Sequence, residues 1–172
     1  MGQGFIHFVR SLLHCIPYED THFMRKLNLP AYDFRYRTEG GSLKVLDVYR
    51  KRFVMLTPEE EVRQRFARYL VEEKGFPASL VMTEYALKLN KMSQRCDILV
   101  HKPAGNPAVL VECKAPEVKI TQAVFDQAAR YNLVFKVKYL MVTNGLNHYC
   151  CEIDFETEKV NFLKDIPCYD DM

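Results

Sequence analysis

The hydrophobic positions of this chain fall into blocks of different period, and the blocks define the elements. Residues 1–42 show no regular period and end in Gly40-Gly41-Ser42; they are read as an N-terminal extension, partly irregular, ahead of a single domain over residues 43–172. Leu43 to Leu56 is rich in Val, Leu, Phe and Tyr and reads as extended. Thr57-Pro58-Glu59-Glu60 is a helix start, with Thr57 as N-cap, Pro58 at the first helical position and Glu60 completing a capping box. That helix should run to about Lys74 and stop at Gly75. Val62, Phe66, Tyr69 and Leu70 form its apolar stripe, and Glu60, Arg63, Gln64 and Ala67 lie on a more polar face.

Beyond Gly75 the period changes. Leu80–Leu89, Cys96–His101 and Ala108–Cys113 read as strands, the last two joined by a loop rich in Pro and Gly, Lys102 to Pro107. Thr121 to Lys136 is helical, with Val124, Ala128, Tyr131 and Phe135 spaced for packing. Tyr139–Thr143 and His148–Phe155 are strands around an Asn144-Gly145 turn, and Lys159–Leu163 is a short last strand. The order α-β-β-β-α-β-β, without repeats, predicts one α/β or α+β layered domain.

Composition narrows the class. A length of 172 residues suits one domain with its own core, and 48% hydrophobic with 27% charged residues excludes wholesale disorder. The net charge of +2 announces no nucleic-acid partner, so a DNA-binding surface would have to be a local patch. Tyr49-Arg50-Lys51-Arg52 is the candidate phosphate contact, and a solvated face is its plainer reading. Six cysteines, at 15, 96, 113, 150, 151 and 168, form no C-x-x-C pair. They read as reduced thiols of a cytoplasmic protein rather than a zinc site or a disulfide framework. No run approaches the roughly 20 apolar residues of a membrane span. The opening residues make a poor signal peptide, and with Met24 opening a more polar stretch, residues 1–23 read as an alternative start or a loose extension.

The chemistry concentrates in the middle hairpin. A turn centred between Ala104 and Gly105 sets Asp97 directly opposite Glu112, and Lys114 shares the strand face of Glu112. Arg95 would then face Lys114. Opposed like charges destabilise a sheet unless the site uses them, and a hard divalent cation is the obvious use. Lys114 could then stabilise charge or help to deprotonate an attacking water. In the alternative, Asp97 and Glu112 point to solvent and are paired electrostatically by Lys114 and Arg95. Both carboxylates, however, lie in apolar strands, where charge is less often mere surface. Gln127 and Tyr131, four apart, share a helix face; on their own they read as a rim residue and a core residue.

Together, Asp97, Glu112-Cys113-Lys114 and Gln127-Ala128-Ala129-Arg130-Tyr131 resemble the PD-(D/E)xK nuclease superfamily. The chain looks, more narrowly, like the N-terminal nuclease domain of type I restriction enzyme R subunits. Glu59 to Gln64, Val111 to Pro116, Tyr131-Asn132 and Thr143-Asn144-Gly145 carry that likeness, which covers about Leu43 to Phe155. The resemblance implies a restriction-endonuclease-like core, a mixed β-sheet flanked by helices. It implies a metal-dependent deoxyribonuclease in which Asp97, Glu112 and the backbone carbonyl of Cys113 hold Mg²⁺, with Mn²⁺ as a substitute. Lys114 would position or activate water, Gln127 and Tyr131 would line the site or contact DNA, and Glu60, with Glu61 as the second choice, would approach the metal. R subunits carry an ATP-driven motor, yet no G-x-x-x-x-G-K-[ST] occurs among the seven glycines. The chain is therefore expected to be a free-standing relative or a part whose motor is another chain, with DNA as partner and, in the second case, a separate motor or specificity subunit; a homo-oligomer stays open. The competing class is a catalytically inactive nucleic-acid-binding or assembly module of a restriction or repair complex, and Mg²⁺-dependent cleavage separates the two.

Overall fold

The structure, a computed structural model, describes residues 26–89 and 92–172. The expectation of an alternative start over residues 1–23, and Cys15, fall outside the described residues. Among the described residues, nine strands form two sheets and are accompanied by two α-helices. Strands β1 (Tyr36–Glu39), β2 (Ser42–Asp47) and β3 (Arg52–Met55) form a three-stranded antiparallel sheet. After α1 (Pro58–Glu72), strands β4 (Val81–Leu89), β5 (Met92–His101) and β6 (Pro107–Cys113) enter a six-stranded sheet. Helix α2 (Gln122–Phe135) leads to β7 (Tyr139–Thr143), β8 (His148–Asp154) and β9 (Lys159–Leu163). The larger sheet keeps sequence order; β6 and β7 are parallel and the other neighbours antiparallel. This is a mixed α/β fold with two sheets.

The order expected from sequence is corrected at both ends. Among the described residues three strands precede α1, one inside the segment read as irregular, and three strands follow α2. Gly40 and Gly41, with φ of +58° and +74°, form a two-residue loop between Glu39 and its partner Ser42. Paired positive φ values match the twist of a tight hairpin, which glycine adopts without penalty. The Leu43–Leu56 stretch divides into β2 and β3 because Asp47 accepts the backbone N–H groups of Tyr49 at 2.8 Å and Arg50 at 2.9 Å, capping a turn. The Asn144-Gly145 turn is a longer loop: Thr143 pairs with His148, and the Asn144 side chain accepts from Leu146 and Asn147 N–H.

Helix α1 starts as its sequence dictates, with Thr57 Oγ1 accepting the Glu60 N–H at 3.1 Å. The reciprocal half of the capping box is absent: Thr57 N–H donates to Met55 O, and the Glu60 carboxylate turns inward. Val62, Phe66 and Leu70 pack with Ile98, Val109, Val111 and Met141 on one sheet face. On the other, Val124 and Ala128 of α2 pack with Leu99, Leu110, Leu140 and Val142. Both faces of β6 are thus covered, which is why its sequence is continuously apolar instead of alternating. The face of α1 expected to be polar is also buried, from Glu60 to Ala67, because the Asp47–Arg50 turn packs on it through Tyr49 Oη to Ala67 O and Arg50 to Glu60.

The α2 connection is closed by Asn132. Its side chain accepts the Val137 N–H at 2.7 Å and donates to Val137 O at 3.2 Å, fixing the entry into β7. The β7–β8 loop is tied to α1: a Cβ on Gly145 (φ +80°) would meet Val62 Cγ2 at 3.0 Å and the Leu27 methyls at 3.1 Å. Gly145→Ala should therefore cost about 1–3 kcal/mol, from the left-handed backbone and the crowding together. Urea denaturation measures this; equal stability in the variant would show that the loop yields freely.

Candidate active site

The β5–β6 ladder runs Val100–Val109, Leu99–Leu110, Ile98–Val111, the register expected from sequence, and it carries Asp97 toward Glu112. Backbone pairing ends there. Where it would continue, the Asp97 side chain takes the acceptor's place: Oδ2 accepts the Cys113 N–H at 2.6 Å. Cys113 pairs instead with Thr143 of β7, and Lys114 N–H donates to Thr143 O at 2.8 Å. The sheet opens between β5 and β6, and polar side chains fill the opening.

Glu112 is 3% exposed and Asp97 8%, so neither points into bulk solvent. Lys114 Nζ donates to Glu112 Oε1 at 2.7 Å and to Gln127 Oε1 at 3.2 Å, and Gln127 Nε2 donates to Glu112 Oε1 at 2.8 Å. Lysine, glutamate and glutamine close a three-membered hydrogen-bonded ring in which Oε1 takes both donors and Oε2 neither. Burial, with the charge of Asp97, pushes the Glu112 carboxyl up to about 7 against the opposing pull of Lys114. Burial would lower the Lys114 pKa, but the hydrogen bond and charge of Glu112 outweigh it and raise the group above its ordinary value. Lys114 is thus held as a cation.

Asp97 is held from the other side by Arg63 of α1. Nε and Nη2 of Arg63 both donate to Oδ1, at 3.0 and 2.7 Å. The same guanidinium reaches Glu84 Oε1 at 3.0 Å, Glu59 Oε1 at 3.4 Å and the Glu60 carboxylate. Glu60 also accepts from Arg50 at 2.6 Å and Gln64 at 2.7 Å. Its side chain belongs to an arginine-linked cluster. Glu61, the second choice, pairs with Arg65 at 3.0 Å.

Of the residues singled out from sequence, the structure brings together Asp97, Glu112, Lys114 and Gln127. Glu60 joins through Arg63. Tyr131 packs against the apolar cluster around Cys96, Leu99 and Leu110. Arg95, expected opposite Lys114, pairs with Glu84. Arg50, expected as a phosphate contact, is directed inward, and only Lys51 and Arg52 of that cluster are exposed. Among the described residues no three His, Cys, Asp or Glu side chains are grouped to hold a metal ion. The described cysteines are free, four of them buried.

Comparison with known proteins bears on this geometry. The family described as type I restriction enzyme R protein N terminus matches residues 58–167, which contain Asp97, Glu112, Lys114 and Gln127. The chain belongs to this family. A solved fragment assigned to the HsdR subunit of a type I restriction enzyme from Vibrio vulnificus YJ016 is 22% identical, with a TM-score of 0.49, and covers 67% of this chain. The chain spans only 24% of that protein. No curated protein matches. No helix among the described residues is long and apolar enough to cross a membrane.

Arg63, Glu84 and the inward Arg50 were not anticipated from sequence. The available signal was a run of acids and arginines on α1 facing a strand that carries Glu84, whose backbone has φ +52°. The raised Glu112 pKa gives a test with a definite sign. The folded protein holds a proton that the unfolded chain, at an ordinary glutamate value near 4.5, releases. Its stabilising contribution is complete below about 4.5 and is lost as pH rises through about 7. Denaturation of wild type and Glu112→Gln in EDTA at pH 5.5 and 8 should show wild type losing more stability on going to pH 8; equal losses would mean that Glu112 is not the group involved.

Proposed function

We propose that this domain hydrolyses DNA phosphodiester bonds with a divalent cation at Asp97 and Glu112. The observation that carries the reading is the buried ring of Glu112, Lys114 and Gln127 beside Asp97, inside the segment that belongs to the R-protein family. A PD-(D/E)xK core is the form of this reading for the fold.

The donor set suits Mg²⁺ in kind. Mg²⁺ takes one or two carboxylates and keeps several waters, so two acids suffice without a third. Burial and the charge of Asp97 raise the Glu112 carboxyl against the pull of Lys114, and its Oε2 lies outside the ring. Asp97, Glu112 and the carbonyl of Cys113 would hold the cation, with Mn²⁺ as a substitute. When bound, it supplies charge stabilisation at the phosphate and lowers the pKa of a water.

The chain's own residues do the rest. Lys114, kept protonated by Glu112, faces the anionic phosphate as a cation; of the two roles open to it, charge stabilisation fits this state better than proton abstraction. Gln127 fixes the ammonium from the far side through Oε1 and steadies Glu112 through Nε2. Tyr131, on the apolar side of α2, supports the helix that delivers Gln127. Glu60 acts on Asp97 through Arg63. Lys51 and Arg52 are available to a phosphate backbone, and the partners implied are DNA and the remaining restriction subunits, a motor among them.

One observation favours a second reading, a non-cleaving nucleic-acid-binding or assembly module: both Asp97 oxygens already accept protein donors. Paired assays separate the two. Wild type should nick supercoiled plasmid in Mg²⁺, and Glu112→Ala should not. Lys114→Ala should lose roughly 10²–10³-fold in rate, the scale for removing one charge-stabilising donor. Its gel-shift affinity should stay within a few-fold, since one phosphate contact among several is lost. Wild type that binds DNA but cuts with no divalent cation would give the second reading the field.

A further inference from the structure

Asp97 has little freedom left. Its Oδ1 takes Nε and Nη2 of Arg63, which fills both lone pairs, and its Oδ2 takes one donor, Cys113 N–H, which leaves one lone pair. The orientation of this carboxylate is therefore set by a side chain on another element, 34 residues away in sequence. Arg63 is itself 5% exposed and lies against Glu59, Glu60, Glu84 and Asp97. A buried charge so placed cannot leave without abandoning its carboxylates, which costs more than the pair contributes.

The cage around Arg63 reaches outside the family segment. Glu60 Oε1 accepts from Arg50 Nη2 at 2.6 Å, and Arg50 Nη1 lies 3.7 Å from Glu84 Oε2. Arg50 is fixed in turn by Asp47, a fully buried carboxylate that takes its Nε and backbone N–H and the Thr83 hydroxyl at 2.9 Å. The β2–β3 turn is thus wired to the strand bearing Glu84 and to the helix bearing Arg63. Glu84 stands at φ +52° in the middle of β4, an uncommon conformation for a non-glycine residue and one that persists only where its surroundings enforce it. Arg50, Arg63 and Arg95 all reach its carboxylate.

We propose that Arg63 is a positioning residue for Asp97, aiming Oδ2 at the Cys113–Glu112 side of the opening, and that the Asp47–Arg50 turn of the three-stranded sheet holds Arg63 in place through Glu60 and Glu84. The arrangement rests on the nuclease reading only for the use made of the aligned carboxylate. Arg50 then serves the site from within and is not a DNA contact.

The test uses the full chain with Arg63→Lys, which keeps the charge and loses the two-donor hold, and Arg50→Met, which removes no atom of the Arg63–Asp97 contact and acts on it only through Glu60 and Glu84. The first readout needs neither metal nor activity: in EDTA, the Cys113 amide in ¹H–¹⁵N spectra of Arg63→Lys should shift upfield and exchange faster, while those of Val109 and Val111 stay put. The second is the Mn²⁺ concentration that half-saturates the rise in melting temperature, expected to increase roughly tenfold in Arg63→Lys because fewer molecules present the binding-competent carboxylate. The third is nicking kinetics, with kcat falling and KM unchanged in both variants, less in Arg50→Met. A folded Arg63→Lys with an unchanged Cys113 amide overturns the proposal, as does unchanged or tighter Mn²⁺ binding. Arg50→Met that raises KM alone makes Arg50 a phosphate contact and overturns the relay. If Arg63→Lys does not fold, the Cys113 amide of Arg50→Met decides, a wild-type position overturning the relay. If wild type neither binds Mn²⁺ nor nicks, the nuclease reading fails by itself, and the Cys113 amide still decides the role of Arg63.

Discussion

Burying Asp97 and Glu60 beside the half-buried Glu84 is costly, and the guanidinium of Arg63 touches all three. Desolvated carboxylates close to each other repel, and in a low-dielectric interior little screens them. Arg63 donates to Asp97, Glu60 and Glu59 and pairs with Glu84 at 3.0 Å. An arginine suits the task because its planar fork holds several acids at once and keeps its charge when buried. Glu112 lies outside the direct reach of Arg63, and among the described residues its paired cation is Lys114. The difference is visible in its chemistry: with one ammonium against its own burial and the charge of Asp97, Glu112 is the acid driven up to about 7. The acids on the α1 side are thus held by arginine and Glu112 by an ammonium and an amide, and the Glu112 side holds the chemistry of the proposed reaction.

Topology produces that division. An antiparallel hairpin, β5–β6, is followed by a parallel neighbour, β7, reached through α2. The change of direction gives β6 a partner on its far edge up to Cys113, after β5 has stopped pairing at Ile98. Side chains at the parting point can turn into the opening without leaving backbone groups unsatisfied, since Asp97 itself accepts the Cys113 N–H. The crossover helix must then pass over the opening, and it carries Gln127 there.

How much of this could be read in the sequence follows from the range of each interaction. Asp97, Glu112 and Lys114 were legible because hairpin pairing is local, so that a turn centre and a period of two suffice. The closing shift between Val100 and His101 sits on the loop side and leaves the site register intact. Gln127 was legible through the family resemblance. Strand β1 was missed because all four of its residues are exposed and show no alternation, although Gly40-Gly41 signals a hairpin. Tyr131 followed the plainer reading of its pattern and packs against the core. Arg63 falls on the polar face of its helix, with nothing local to show what that face meets. A helical period shows that a face is polar, but not that a second sheet covers it.

That second sheet alters what the domain comprises. The family match begins at residue 58, yet Arg50, held by Asp47, lies upstream of it and reaches Glu60 and Glu84, which lie within. Asp47 is bound to Arg50 by a side chain and a backbone bond, and to β4 by Thr83, so the turn cannot shift without breaking buried charged hydrogen bonds. Cutting the chain at the family boundary would leave Glu60 with Arg63 and Gln64 alone, remove one cation from Glu84, and uncover the face of α1 from which Arg63 projects. The three-stranded sheet is thus part of the scaffold of the site. The boundary of sequence similarity falls inside a single electrostatic network: Arg50 lies upstream of it, while Glu60, Arg63 and Glu84 lie within.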